Sequence, residues 1–225
     1  MGTRVSARRT ATRNRIFAVV AAGAVVAGGV TVGSLAAWTD IEYVVGGVDA
    51  DAGVTSSVFE VEQFTASDIA FDHYETEVGA NVVDFGALAA TLTPGDTVYG
   101  YVRLRTVIDS LGGTLTLAAD TTVVADEMSD ALTYSAVLVS DYSDCNATDV
   151  GPSTTATLVP AGTALDEVDD PAATFSLAAS NGVAPGDEQA VCFVIDFDAS
   201  YADDDELQGQ TVSPVWHFDA VSVAP

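Results

Sequence analysis

The sequence predicts an all-β fold, a β-sandwich, and three observations carry that prediction. The first is period-two alternation, which places every second side chain on the same face of an extended segment. Val98, Gly100, Val102, Leu104, Thr106 and Ile108 share one face, opposite Tyr99, Tyr101, Arg103 and Arg105. Gln189, Val191, Phe193, Ile195 and Phe197 repeat the pattern, with Glu188, Asp196 and Asp198 on the other side. Val212, Trp216, Phe218 and Ala220 do so against Ser213, His217 and Asp219. The second observation is turn chemistry between such segments: Pro94-Gly95-Asp96, Leu111-Gly112-Gly113, Asn181-Gly182 and Pro185-Gly186-Asp187. The third is the lack of a sustained helical period beyond the first 36 residues, where 126–132 and 200–207 have room for a turn or two at most.

In chain order, the expected elements are a short N-terminal strand at 41–48, a Gly- and Asp-containing flexible stretch, and a strand near 54–64. A polar loop leads to a strand at 81–92, which runs into the Pro94-Gly95 turn, and 96–108 is the longest strand. Shorter strands follow at 114–119 and 132–139. A loop at 140–152 precedes a β-rich section at 154–177, and strands at 188–198 and 210–223 close the domain. Eight to ten strands spaced by turns suit two packed sheets.

Upstream lies a different kind of segment. Arg4, Arg8, Arg9, Arg13 and Arg15 precede the apolar run 16–32, and Ser34 and Ala36 then place small residues in a processing pattern. This order reads as a secretory signal peptide over 1–36, cut between Ala36 and Ala37. The alternative is an uncleaved signal anchor, since a run of about 17 residues reaches the lower limit for spanning a bilayer. Cleavage leaves 189 of the 225 residues as one secreted domain, 37–225, in which 37–53 supplies an N-terminal strand and a flexible segment.

Ala37-Trp38-Thr39-Asp40 resembles the alanine, aromatic, small polar, aspartate signature that follows the leader in the camelysin/TasA-like family. Leu92-Thr93-Pro94-Gly95-Asp96 is similar to that family's L-x-P-G-D turn into a long strand, and Leu207-Gln208-Gly209-Gln210 before 212–220 to its closing strand. The resemblance implies a jelly roll, export through a signal peptidase of SipW type, and a structural role in an extracellular matrix or biofilm, or at the cell surface, as a polymer-forming subunit. Camelysin-like relatives are also described as metallopeptidases. No H-E-x-x-H or G-x-S-x-G pattern exists here onto which a peptidase assignment could be carried, so no catalytic residue is assigned. His73 and His217 read as surface residues.

Charge narrows the partners further. All 33 Asp and Glu lie beyond Ala37, set against Arg103 and Arg105 alone, so the remainder carries a net −31 and no Lys. Such a surface repels nucleic acid and anionic membrane, and its self-repulsion favours stabilisation by salt. Calcium is the one cofactor left open. Asp49-x-Asp51-x-Gly53, 141–149 and 203–206 each offer hard oxygen ligands, but none completes the twelve-residue loop. Asn146-Ala147-Thr148 matches the glycosylation sequon. The two cysteines, Cys145 and Cys192, form an even count in an exported chain, which favours a disulfide over two separately buried thiols.

Trp38, Ile41, Tyr43, Val44, Val45 and Val48 are β-prone and apolar, followed by Gly46-Gly47 and the flexible 49–53. This pattern permits two roles. The segment either completes its own sheet, or it is donated to the open sheet edge of a second copy to build a homo-polymer. A peptidase and a monomeric ligand-binding sandwich remain as alternatives to the structural subunit.

Overall fold

The alternation around Val98 forms a ladder in the computed structural model, which describes residues 56–119, 127–168 and 173–223. The expected signal peptide with its cleavage pair Ala36 and Ala37, and the expected assembly strand with Trp38, Ile41, Tyr43 and Val45, lie outside the described residues. So does the Asp49–Gly53 stretch weighed for calcium.

Eight strands occur among the described residues. In order they are β1 (Val61–Thr65), β2 (Thr97–Thr106), β3 (Gly113–Ala119), β4 (Leu132–Val139), β5 (Thr154–Ala164), β6 (Thr174–Leu177), β7 (Gln189–Phe197) and β8 (Trp216–Ser222). Two single-turn helices interrupt them, α1 (Glu127–Ala131) before β4 and α2 (Val150–Ser153) before β5. One sheet has the order β1-β2-β7-β4-β5 and the other β6-β3-β8, and every pairing is antiparallel. The all-β prediction stands in this form: two antiparallel sheets, of five and three strands.

A single core joins the sheets. Val98, Val102 and Leu104 of β2, Tyr134 and Leu138 of β4, and Val191, Phe193 and Ile195 of β7 meet Leu115 and Leu117 of β3 and Phe175 of β6. Phe193 sits at its centre, stacked on Trp216 at 4.9 Å and edge-on to Phe218 at 6.5 Å. Burying such side chains contributes roughly 1.5–3 kcal/mol each. Strand β2 follows its predicted faces residue by residue, with Val98, Gly100, Val102, Leu104 and Thr106 buried. Ile108 falls beyond the strand and is 49% exposed. Gly95, at φ 97°, makes the predicted turn into β2, and its N–H donates to Phe197 O at 2.8 Å.

Three expectations need correction. Residues 81–92 form no ladder; they run as an irregular strap with a 3-10 turn at Ala87–Ala90. The closing strand starts at Trp216 rather than at 210, because residues 211–215 find no main-chain partner among the described residues and Pro214 has no N–H to donate. The strand near 54–64 is ordered into a ladder only from Val61, with an isolated parallel bridge from Val58 to Ser110 before it. The section at 154–177 resolves into β5 and β6, and 126–132 holds the short α1.

Candidate functional site

Each sheet has an end strand beside the same groove, and that of the larger sheet is partly covered where Gln63 bridges Asp72. β1 ends the five-stranded sheet and β8 ends the three-stranded one, and residues of both line one large cavity of about 1780 Å³. Its floor reaches core side chains, among them Val98, Leu104, Leu115 and Phe193, and its walls come from the strap and from residues 207–215. Neither wall is part of a ladder. Among the described residues, 82–85 on one side and 211–215 on the other make no backbone–backbone hydrogen bond. A groove bordered by unpaired main chain and floored by apolar side chains matches the chemistry of an extended peptide.

Carboxylates pin both ends of the strap. Asp68 accepts hydrogen bonds from Thr65 N at 2.7 Å, Thr65 Oγ1 at 3.3 Å, Tyr74 OH at 2.9 Å and Asn81 Nδ2 at 2.5 Å, which ties β1 to the strap's beginning. Burial by itself would raise the Asp68 carboxyl. The hydrogen bonds from Asn81, Thr65 and Tyr74 outweigh it and hold the group below its ordinary value of 3.8. At the other end Asp96 accepts from Thr93 N and Thr93 Oγ1, both at 2.8 Å, and these bonds lower its pKa in the same way.

Between the pins, Val83 and Phe85 turn inward onto the core and occupy the notch left by Gly100. A Cβ at position 100 would lie 2.7 Å from Val83 Cγ1 and 3.0 Å from the Phe85 ring, so only glycine lets the strap lie this close to β2. Trp216 stands at the groove wall, its Nε1 buried and without an acceptor among the described residues.

The opposite, outer face of the five-stranded sheet is closed. Cys145 and Cys192 are disulfide-bonded, with Cα atoms 5.3 Å apart, so the loop at 140–153 is fastened to the central strand β7. Beneath it Ala190, Cys192 and Val194 form a second small apolar cluster with Val139, joined by Tyr99, Val137, Cys145 and Val150. Strand β7 is therefore buried on both faces, where the sequence reading had given its second face to Glu188, Asp196 and Asp198. Those three lie at its ends; the middle of that face is apolar.

Arg103 and Arg105 stand on the same outer face. The Arg103 guanidinium lies 4.5 Å from the Tyr142 ring, 4.9 Å from Phe64 and 5.1 Å from Phe71, and Arg105 lies 3.8 Å from Phe71. Arg103 pairs with Glu188, and Arg105 with Glu62 at 2.6 Å and Glu188 at 3.5 Å. These two cations thus hold the 66–72 loop and the disulfide loop against β1 and β2.

The remaining candidates stay apart. His73 Nε2 lies 3.5 Å from Glu60, and His217 Nε2 lies 3.9 Å from Asp219. Asp141 and Asp204 accept from the backbone of Ser143 and Glu206, capping 3-10 turns, and Asp205 accepts from Gln208 Nε2. Asn146, the sequon residue, donates to Ser143 O and Asp149 while accepting from the Thr148 backbone. Among the described residues no three His, Cys, Asp or Glu side chains gather as a metal-binding group, and no helix is long and apolar enough to cross a membrane. Sequence reasoning missed the groove, although its signal was present in the extended 81–92 segment, whose neighbour could not be named. The sequence matches no protein-family model and no curated protein.

Proposed function

We propose that this chain is a secreted structural subunit of an extracellular matrix or cell surface, which assembles by donating residues 37–48 of one copy into the groove of the next. The observation that carries the reading is a groove walled by main chain that no strand pairs, along the free edge of β8. An inserted strand would lengthen the three-stranded sheet by hydrogen bonding to β8 and place alternate side chains on the apolar floor. Ile41, Tyr43 and Val45, two residues apart, supply such side chains. Head-to-tail repetition of a contact that does not close gives a filament. The leader resemblance supports the same reading: it implies export through a SipW-type peptidase, a jelly-roll arrangement of the sheets and a polymer-forming matrix protein. Cleavage after Ala36 would free the donated segment.

Deleting residues 37–48 from the chain that begins at Ala37 tests the proposal, with electron microscopy and sedimentation as readouts. A folded monomer that no longer assembles is the expected result. Filaments that persist unchanged overturn donation, and an unfolded product assigns the segment to its own sheet instead.

A further inference from the structure

Within the assembly just proposed, on which this inference rests, one wall of the groove has an unusual combination of properties. Residues 81–85 alternate as a strand does: Asn81, Val83 and Phe85 are half-buried, while Val82 and Asp84 are exposed, Val82 to 67%. Val83 and Phe85 are seated against Gly100 and packed on the core. Yet the backbone of 82–85 bonds to no other main chain among the described residues. What polar contacts exist are local: Val82 N donates to Asn81 Oδ1 at 2.9 Å, and Gly86 N donates to Asp84 Oδ1 at 2.7 Å. Side-chain packing has fixed this segment on its side of the groove, while its main chain at 82–85 has no main-chain partner among the described residues.

We propose that residues 81–85 are a latent strand, which becomes laddered only when the donated segment of a second copy lies between it and β8. The guest is then held along both of its edges, by β8 and by the strap, rather than added to β8 alone. The physical advantage is preorganisation: the strap's side chains and end pins already hold it in place, so the guest's hydrogen bonds form without ordering that backbone first. The occupant is argued from chain length and position. In the chain that starts at Ala37, residues 37–55 precede the described part, which begins at Ser56, and Phe59 lines the groove wall, so each copy carries an apolar, β-prone sequence shortly before a groove-lining residue. Asp68 holds Asn81 at one end of this run, and the 3-10 turn at Ala87–Ala90 ends it at the other.

In a β-strand, alternate residues direct their N–H and C=O groups to the same side, so a ladder protects every second amide, whereas simple covering protects all of them. Quenched hydrogen exchange read by NMR, on the monomeric and assembled fractions of the chain starting at Ala37, distinguishes the two. The expected result is slowing by at least about tenfold of one alternate pair, Val82 with Asp84 or Val83 with Phe85, together with new protection along β8. Protection along β8 with residues 82–85 unchanged overturns the latent strand but leaves strand donation standing. Equal slowing of all four amides means covering without pairing and also overturns it. If no assembled fraction forms, or neither wall gains protection, strand donation falls and this inference with it.

Discussion

Two irregular excursions lie on opposite faces of β2 and its neighbours, and they are secured in different ways. The loop at 140–153 covers the outer face and is finished: a disulfide, a buried apolar cluster and an arginine among three aromatic rings hold it. The strap on the inner face is fixed at its ends by two carboxylates and in its middle by Val83 and Phe85, and its main chain there pairs with nothing described. The contrast teaches that irregularity alone does not mark an interaction site. What marks one is extended backbone left without hydrogen-bond partners beside an apolar floor.

Breaking the closed face should have the larger effect. Cys145→Ala together with Cys192→Ala opens a cross-link with a sequence separation of 47, and the loop-entropy relation puts the loss at about 4 kcal/mol. For a domain of this size that corresponds to a fall in thermal midpoint of roughly 8–16 °C, measured by calorimetry of the oxidised and doubly substituted proteins. An unchanged midpoint would mean that the aromatic and arginine contacts alone secure the loop.

Gly100→Val probes the strap side at intermediate strength. The added methyl groups must push Val83 and Phe85 out of their notch, at a cost of about 1–3 kcal/mol for overpacking. Limited proteolysis within 81–92 should become faster while near-ultraviolet signals from the core persist. Equal cutting rates in both proteins would show that the strap does not depend on the notch.

The smallest effect should come from Asp68→Asn and from acid. Because the Asp68 and Asp96 carboxyls are held below their ordinary value, their contribution is fully present above that value, near pH 4, and is lost as pH falls further. Replacing Asp68 should reproduce that loosening at neutral pH, at a cost of about 1 kcal/mol for the exchanged hydrogen bonds. Hydrogen exchange of the Thr65 and Thr93 amides, which donate to these carboxyls, checks it across pH 3–6, provided rates are corrected for the intrinsic pH dependence of exchange. Corrected protection of both that stays level through that range would show that these pins carry nothing.

By itself the sequence determined the class of fold and most of the strands. Alternation around Val98 and Phe193 encodes which side chains share a face, and Pro94-Gly95-Asp96 encodes a turn, because both depend on residues close together in the chain. It also favoured the Cys145–Cys192 bond, through an even cysteine count joined to the expectation of export rather than through geometry. Tertiary structure decided where alternation becomes a ladder. Residues 81–85 alternate in exposure and β1 does not, yet β1 is the laddered one, because a ladder needs a second strand at about 4.8 Å and only the assembled sheets determine whether one is there. The same holds for the second face of β7. Ala190, Cys192 and Val194 are apolar in any reading, yet what buries them is a loop some 50 residues earlier in the chain, and the identity of that cover is a long-range fact that local periodicity does not contain.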